Sequence, residues 1–150
     1  YLHGVGVEIM ANSDNVLRGG LTSKHIDVPE LMHVVQFDAL LDPIAPAENV
    51  VLSSHGIVPA EGIETVEYLI PVPEFRLSRS HLAPCRESHL GIEGPFIVLV
   101  TEGTVTLTSR ECPEGLSVSA GHAAWVGAWE DRPTIATGEN SATVFIARVP

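Results

Sequence analysis

Cations are scarce in this 150-residue chain: eight Lys and Arg stand against nineteen Asp and Glu, a formal net charge of −11. That balance excludes the usual routes to nucleic acid and to anionic membrane surfaces, because both need clustered positive charge. Only two cysteines are present, Cys85 and Cys112. They show no metal-ligand spacing and are too few for a disulfide framework, so a reduced, cytoplasmic protein is expected. Long apolar runs are missing as well. No stretch reaches the roughly 18 residues of a membrane-spanning helix, and no charged-then-apolar leader opens the sequence. The first residue is Tyr1, and the opening LHGVGVEIM has the character of a strand interior. A cut through a longer protein is therefore expected, rather than a natural beginning.

What remains is ordinary globular material, 45% hydrophobic and 18% charged. The length suffices for one domain with a core, or for a compact domain plus an appendage. Through residue 75 the only cations are Arg18 and Lys24, in a region otherwise acidic. Val5 to Ala11 is expected as a buried strand, and Asn12 to Asn15 as a turn held by side-chain bonds of the Asx type. Asp27-Val28-Pro29-Glu30 supplies helix-start chemistry, with Asp27 as N-cap and Pro29 in the first turn. Leu31, Val34 and Val35 would face inward. Pro43 and Pro46 then punctuate residues 42 to 62, predicted as a largely irregular connection.

From residue 63 the pattern changes to short strands parted by turn residues: IETVEYLIP, EFRLSRSHL, PFIVLVTEG, TVTLTSR, GLSVSAG, HAAWVGAW, RPTIATG and ATVFIARVP. Alternation is clearest in FRLSRS and TVTLTS. Regular short strands at this spacing predict a mainly β fold, a sandwich or jelly roll. The succession of apolar strand, Glu-Gly, strand, Glu-Gly-Leu and aromatic strand resembles the cupin form of that jelly roll. Both tryptophans, Trp125 and Trp129, are expected at least partly buried in it.

Three features invite chemical readings. Ser13-Asp14-Asn15 matches a short element of serine β-lactamases, but the Ser-x-x-Lys and Lys-Thr-Gly partners of that chemistry are absent, and the match is set aside. Among the seven histidines no H-x-H or H-E-x-x-H pair places two imidazoles on one ion. A metal-dependent cupin enzyme is disfavoured on that ground, and no metal ligand is assigned. Arg18 and Lys24 allow two readings. They could form surface salt bridges to Glu8 or Asp14, which contribute little. Alternatively they form an anion site, Arg giving a planar fork and Lys a mobile point charge. Spacing alone slightly favours the first reading, while the Gly19-Gly20 pair, permitting close backbone approach, pulls toward the second.

The segment YLHGVGVEIMANSDNVLRGGLTSKHIDVPEL resembles the signature of type I mannose-6-phosphate isomerases, approximately Y-L-x-G-x-x-x-E-x-M-A-x-S-D-N-V-x-R-x-G-L-T-x-K-x-x-D. The likeness is nearly continuous over some thirty residues, and the rest is similar to the C-terminal part of bacterial members by pattern. This resemblance implies a division into 1–27, the end of a catalytic cupin barrel with its active-site loop; 28–62, helix and linker; and 63–150, a degenerate cupin (RmlC-like) jelly roll. It implies a zinc enzyme that interconverts mannose 6-phosphate and fructose 6-phosphate through a cis-enediol. Arg18 would then face the enediolate, with Glu8 and Asp14 handling or orienting protons and Tyr1 and Lys24 contacting the phosphorylated hexose. The family's zinc ligands, a Gln, two His and a Glu, fall before Tyr1, so no zinc is expected in this chain alone. Its partner would be the missing N-terminal part of the same enzyme. The alternative is a stand-alone cupin-like module that binds a sugar or serves structure without catalysis.

Overall fold

The computed structural model describes residues 3–10, 16–38, 44, 46–49 and 56–150. It divides into two compact units, Tyr1–Ile44 and Ala45–Pro150.

In the first unit the only regular element among the described residues is helix α1, Val28–Val34. Its start follows from local chemistry. The Asp27 side chain accepts a hydrogen bond from the Glu30 amide at 3.1 Å, satisfying one of the four amides that no helical carbonyl can reach. Pro29 sits in the first turn, where its missing N–H costs nothing. The helix buries no residue. Leu31 is half-buried, but Val34 and Val35 are exposed, so the inward face expected for all three is not formed. Nor is the strand expected over Val5 to Ala11. Residues 5–10 carry no strand and Val5 is fully exposed, while Ala11 lies outside the described residues. The physical reason is plain: a strand needs a neighbour to pair its backbone and cover its apolar face, and no second strand is present in this unit among the described residues.

The second unit is built of antiparallel strands: β1 Ala47–Asn49, β2 Ile63–Tyr68, β3 Arg76–Leu82, β4 Glu87–His89, β5 Phe96–Glu102, β6 Thr104–Thr108, β7 Leu116–Ser119, β8 Ala123–Val126, β9 Thr134–Thr137 and β10 Ala142–Arg148. They form a six-stranded sheet, β1-β2-β3-β10-β5-β8, and a four-stranded sheet, β4-β9-β6-β7. This is a jelly-roll arrangement whose two sheets remain separate rather than closing into one continuous barrel. Period-two alternation decides which side chains meet between them. Phe96, Val98 and Val100 of β5 and Val144 and Ile146 of β10 point inward from the larger sheet. Val105, Leu107, Val118 and Ile135 do so from the smaller one. The chain passes from one sheet to the other at Gly103, between β5 and β6. Its φ of +74° and the Ser141 carbonyl, 2.2 Å from where a Cβ would stand, leave glycine as the residue that fits.

Two expectations need correction here. The connection of residues 42 to 62 contributes more than irregular chain: β1 pairs with β2, and Ile57, bridged to Leu90, is completely buried in the core. The tryptophans are mostly exposed, Trp125 at 61% and Trp129 at 71%. Trp125 occupies an outward position on β8, an edge strand whose inward positions are Ala124 and Val126. Trp129 lies beyond the strand, with its ring against Gly127.

Not all the inward face is apolar. On β2 and β3 the buried Thr65 and Ser80 share a hydrogen bond of 2.8 Å. At the far end of the same strands Glu67 stands between two guanidinium groups. Arg148 Nη2 lies 3.3 Å and Arg76 Nε 3.9 Å from its carboxylate. Arg148 is buried and Glu67 half-buried, so the acceptor offsets a charge that would otherwise be costly to bury.

Candidate functional site

The Arg18 region is a loop without regular structure, and its backbone is unusual. Gly20 has φ of +150° and Leu21, a residue with a side chain, has φ of +48°. Leu21 thus sits in the left-handed region at a cost of about 1 kcal/mol, midway between the two cations. Arg18 is half-buried, whereas Lys24 and Glu8 are exposed. The Lys24 amide donates to the Thr22 hydroxyl at 3.1 Å, which tightens the turn just before the lysine side chain. Among the described residues neither Arg18 nor Lys24 enters an ion pair with a carboxylate. Tyr1 and Asp14 lie outside the described residues. Of the five predicted site residues, then, the structure places three. A depression of about 340 Å³ follows His3 to Glu8. One continuous segment lines it, and no second element supplies a facing wall among the described residues.

Among the described residues no three His, Cys, Asp or Glu side chains come together as a metal site requires. The described residues offer no ligand set for zinc, and no step is assigned to it. Cys85 and Cys112 are both free and exposed. No helix among the described residues is long and apolar enough to cross a membrane.

The second unit contains a constellation that no motif announced. Loops 109–115 and 127–133 are tied together: the Arg110 amide donates to the Asp131 carbonyl at 3.0 Å, and the Asp131 amide to Glu111 Oε2 at 2.8 Å. The joined loops bring Ser109 and Glu130 into a hydrogen bond, the hydroxyl donating to Oε2. The Cys112 amide donates to the same hydroxyl oxygen at 3.0 Å. These groups border a cavity of about 120 Å³ that opens past Leu116 and Trp125. The partners are some twenty residues apart and follow no spacing rule, so the sequence offered no signal beyond two turn-rich segments.

Comparison with known proteins bears on the whole chain. No family model matches it. Curated proteins named mannose-6-phosphate isomerase do. That of Salmonella typhimurium is 36% identical over 138 residues, covering 92% of this chain and 32% of the relative. That of Escherichia coli is 34% identical over 145 residues, covering 97% and 34%. The bovine protein (Bos taurus) is 32% identical over 138 residues, covering 87% and 30%. The chain therefore spans about a third of the length of these relatives. Among solved structures, the polyketide cyclase RemF from Streptomyces resistomycificus is similar with a TM-score of 0.52 at 15% identity, over 75% of this chain and 78% of that one. Salicylate 1,2-dioxygenase from Pseudaminobacter salicylatoxidans gives 0.51 at 19% identity, over 60% and 27%. At such identities these likenesses speak for the cupin-type fold alone. By sequence, along nearly its whole length, the chain is a homologue of the C-terminal portion of mannose-6-phosphate isomerases.

Proposed function

We propose that this chain is the C-terminal portion of an aldose–ketose isomerase that interconverts mannose 6-phosphate and fructose 6-phosphate. The reaction moves a proton between C2 and C1 through a cis-enediol, with no net oxidation or reduction. A base takes the C2 proton of the aldose and the C1 oxygen, on which negative charge develops, takes up a proton to give the enediol; the C2 hydroxyl then gives up its proton as the carbon-bound proton is delivered to C1. Such a path needs a fixed cation where the charge develops, groups able to exchange protons and a hold on the phosphorylated sugar. In this reading the Arg18 fork faces the enediolate oxygens. Glu8 and Asp14 handle or orient the proton, and Tyr1 and Lys24 contact the substrate. The observation that carries the proposal is the near-continuous likeness of the Tyr1-to-Asp27 segment to the isomerase signature, with homology extending along 87–97% of the chain.

The zinc implied by the resemblance belongs, on this proposal, to the part of the enzyme that the chain does not contain. The chain alone then turns over no substrate and holds no stoichiometric metal, which elemental analysis checks. A cytoplasmic setting agrees with two free cysteines.

The decisive experiment is made in the full-length enzyme. Arg18→Ala lowers kcat by on the order of 100-fold, the scale for losing a preorganised charge at a developing oxyanion. Arg18→Lys restores part of the rate, because a point charge reproduces the field but not the fork. A kcat near wild type with a shifted melting temperature would instead assign Arg18 to a salt bridge.

A further inference from the structure

The cavity in the second unit has a use that the isomerase chemistry leaves open. It lies where the edge strands of the two sheets, β7 and β8, part from each other. Its floor is apolar: Leu90, Leu107, Ala124 and Val126 are each at most 8% exposed. Its mouth is formed by Leu116 and Trp125, both more than half exposed, so the space is reachable from solvent. One carboxylate lines it, that of the half-buried Glu130, steadied by the Ser109 hydroxyl, and the Cys112 thiol lies on the same wall. Of the two cations on the flanking loops, Arg110 pairs with Asp131 at 3.4 Å, and neither it nor Arg132 lines the cavity.

Mostly apolar walls with a few fixed polar groups are the general form of a small-molecule site. At about 120 Å³ the space is close to the roughly 150 Å³ that accepts benzene in a dry protein cavity. A carboxylate on the wall of such a space selects for a cation through the ion pair. We propose that this cavity is a second binding site, taking a small amphiphile with a one-ring or short-chain apolar body and an ammonium end. The body rests on Leu90, Leu107 and Val126, and the ammonium pairs with Glu130. The site is built wholly from residues of the second unit, and its preference is for a cation where the Arg18 loop's is for an anion.

Two probes of matched shape and opposite charge, benzylamine and benzoate, test the site in the 150-residue chain carrying Trp129→Phe, which leaves Trp125 as the only tryptophan. Benzylamine gives a saturable change in Trp125 fluorescence, and benzoate binds on the order of tenfold more weakly, the scale of one charge-assisted contact. Glu130→Gln brings the two affinities together. Benzylamine also slows alkylation of Cys112, which lines the cavity, and leaves Cys85 unaffected. Ala124→Leu fills the floor and abolishes the response. Should that variant fail to fold, the charge pair and Glu130→Gln decide alone. No saturable response, equal affinity for benzoate, or equal protection of both cysteines overturns the proposal.

Discussion

The two units divide between them what a protein usually keeps together. Tyr1–Ile44 carries the stretch most specific to a known chemistry, yet its helix buries nothing and Val5, Leu21 and Phe37 stand exposed. Ala45–Pro150 carries no recognised catalytic motif, yet all of the buried hydrophobic core among the described residues belongs to it. The difference shows that recognisability and stability answer to different constraints. A substrate loop is fixed residue by residue, because each side chain must meet a particular atom. A sheet is fixed only in its alternation and volume, and tolerates many sequences that preserve them.

The strongest test of that division is to damage the core. Phe96→Ala, at a side chain 2% exposed between the sheets, costs about 3–5 kcal/mol, the range for truncating a buried aromatic residue. Thermal or urea unfolding then shows the second unit largely lost. Leu21→Ala, fully exposed in the first unit, leaves the same transition within about 0.5 kcal/mol. A comparable loss from Leu21→Ala would mean that stability is shared after all.

This division also explains what could be read in the sequence. Eight strands, β2, β3 and β5 to β10, follow from alternation and turn residues, because one face of each is buried and the period is therefore visible. β1 and β4 were missed. Each has three residues, β1 is exposed throughout, and β4 buries only Ser88, so neither shows a period. Ile57 was missed for a related reason: a single core residue in a proline-rich connection has no neighbours to make a pattern. Trp125 and Trp129 are more exposed than expected because one points outward from an edge strand and the other lies beyond it. The first unit was legible through its resemblance and its N-cap, a local device; the strand over Val5 was not, since a strand exists only with its partner. The Ser109–Glu130 pair was illegible, being assembled from two loops distant in sequence.

A smaller effect probes the polar end of the core. Glu67→Ala removes the acceptor shared by the buried Arg148 and by Arg76, and lowers stability by about 1–3 kcal/mol. That is less than the 3–5 kcal/mol of a fully buried pair, because Glu67 is partly solvated. Glu67→Gln keeps an acceptor oxygen without the charge and recovers part of the loss. Recovery to wild type would show that the charge itself contributes nothing.

The smallest effect is the most pointed, because it should be visible in one unit and silent in the other. Asp27→Ala deletes the acceptor for the Glu30 amide, a change worth about 1 kcal/mol at a helix start. A seven-residue helix has little reserve, since the cost of nucleating its first turn is spread over few hydrogen bonds. Losing the cap should therefore melt α1, and the backbone chemical shifts of Leu31 and Met32 should move toward coil values. The main unfolding transition should stay in place, because α1 buries no residue and the buried core among the described residues belongs to the second unit. If the transition instead falls by several degrees, the helix is coupled to the core, and the two units fold as one.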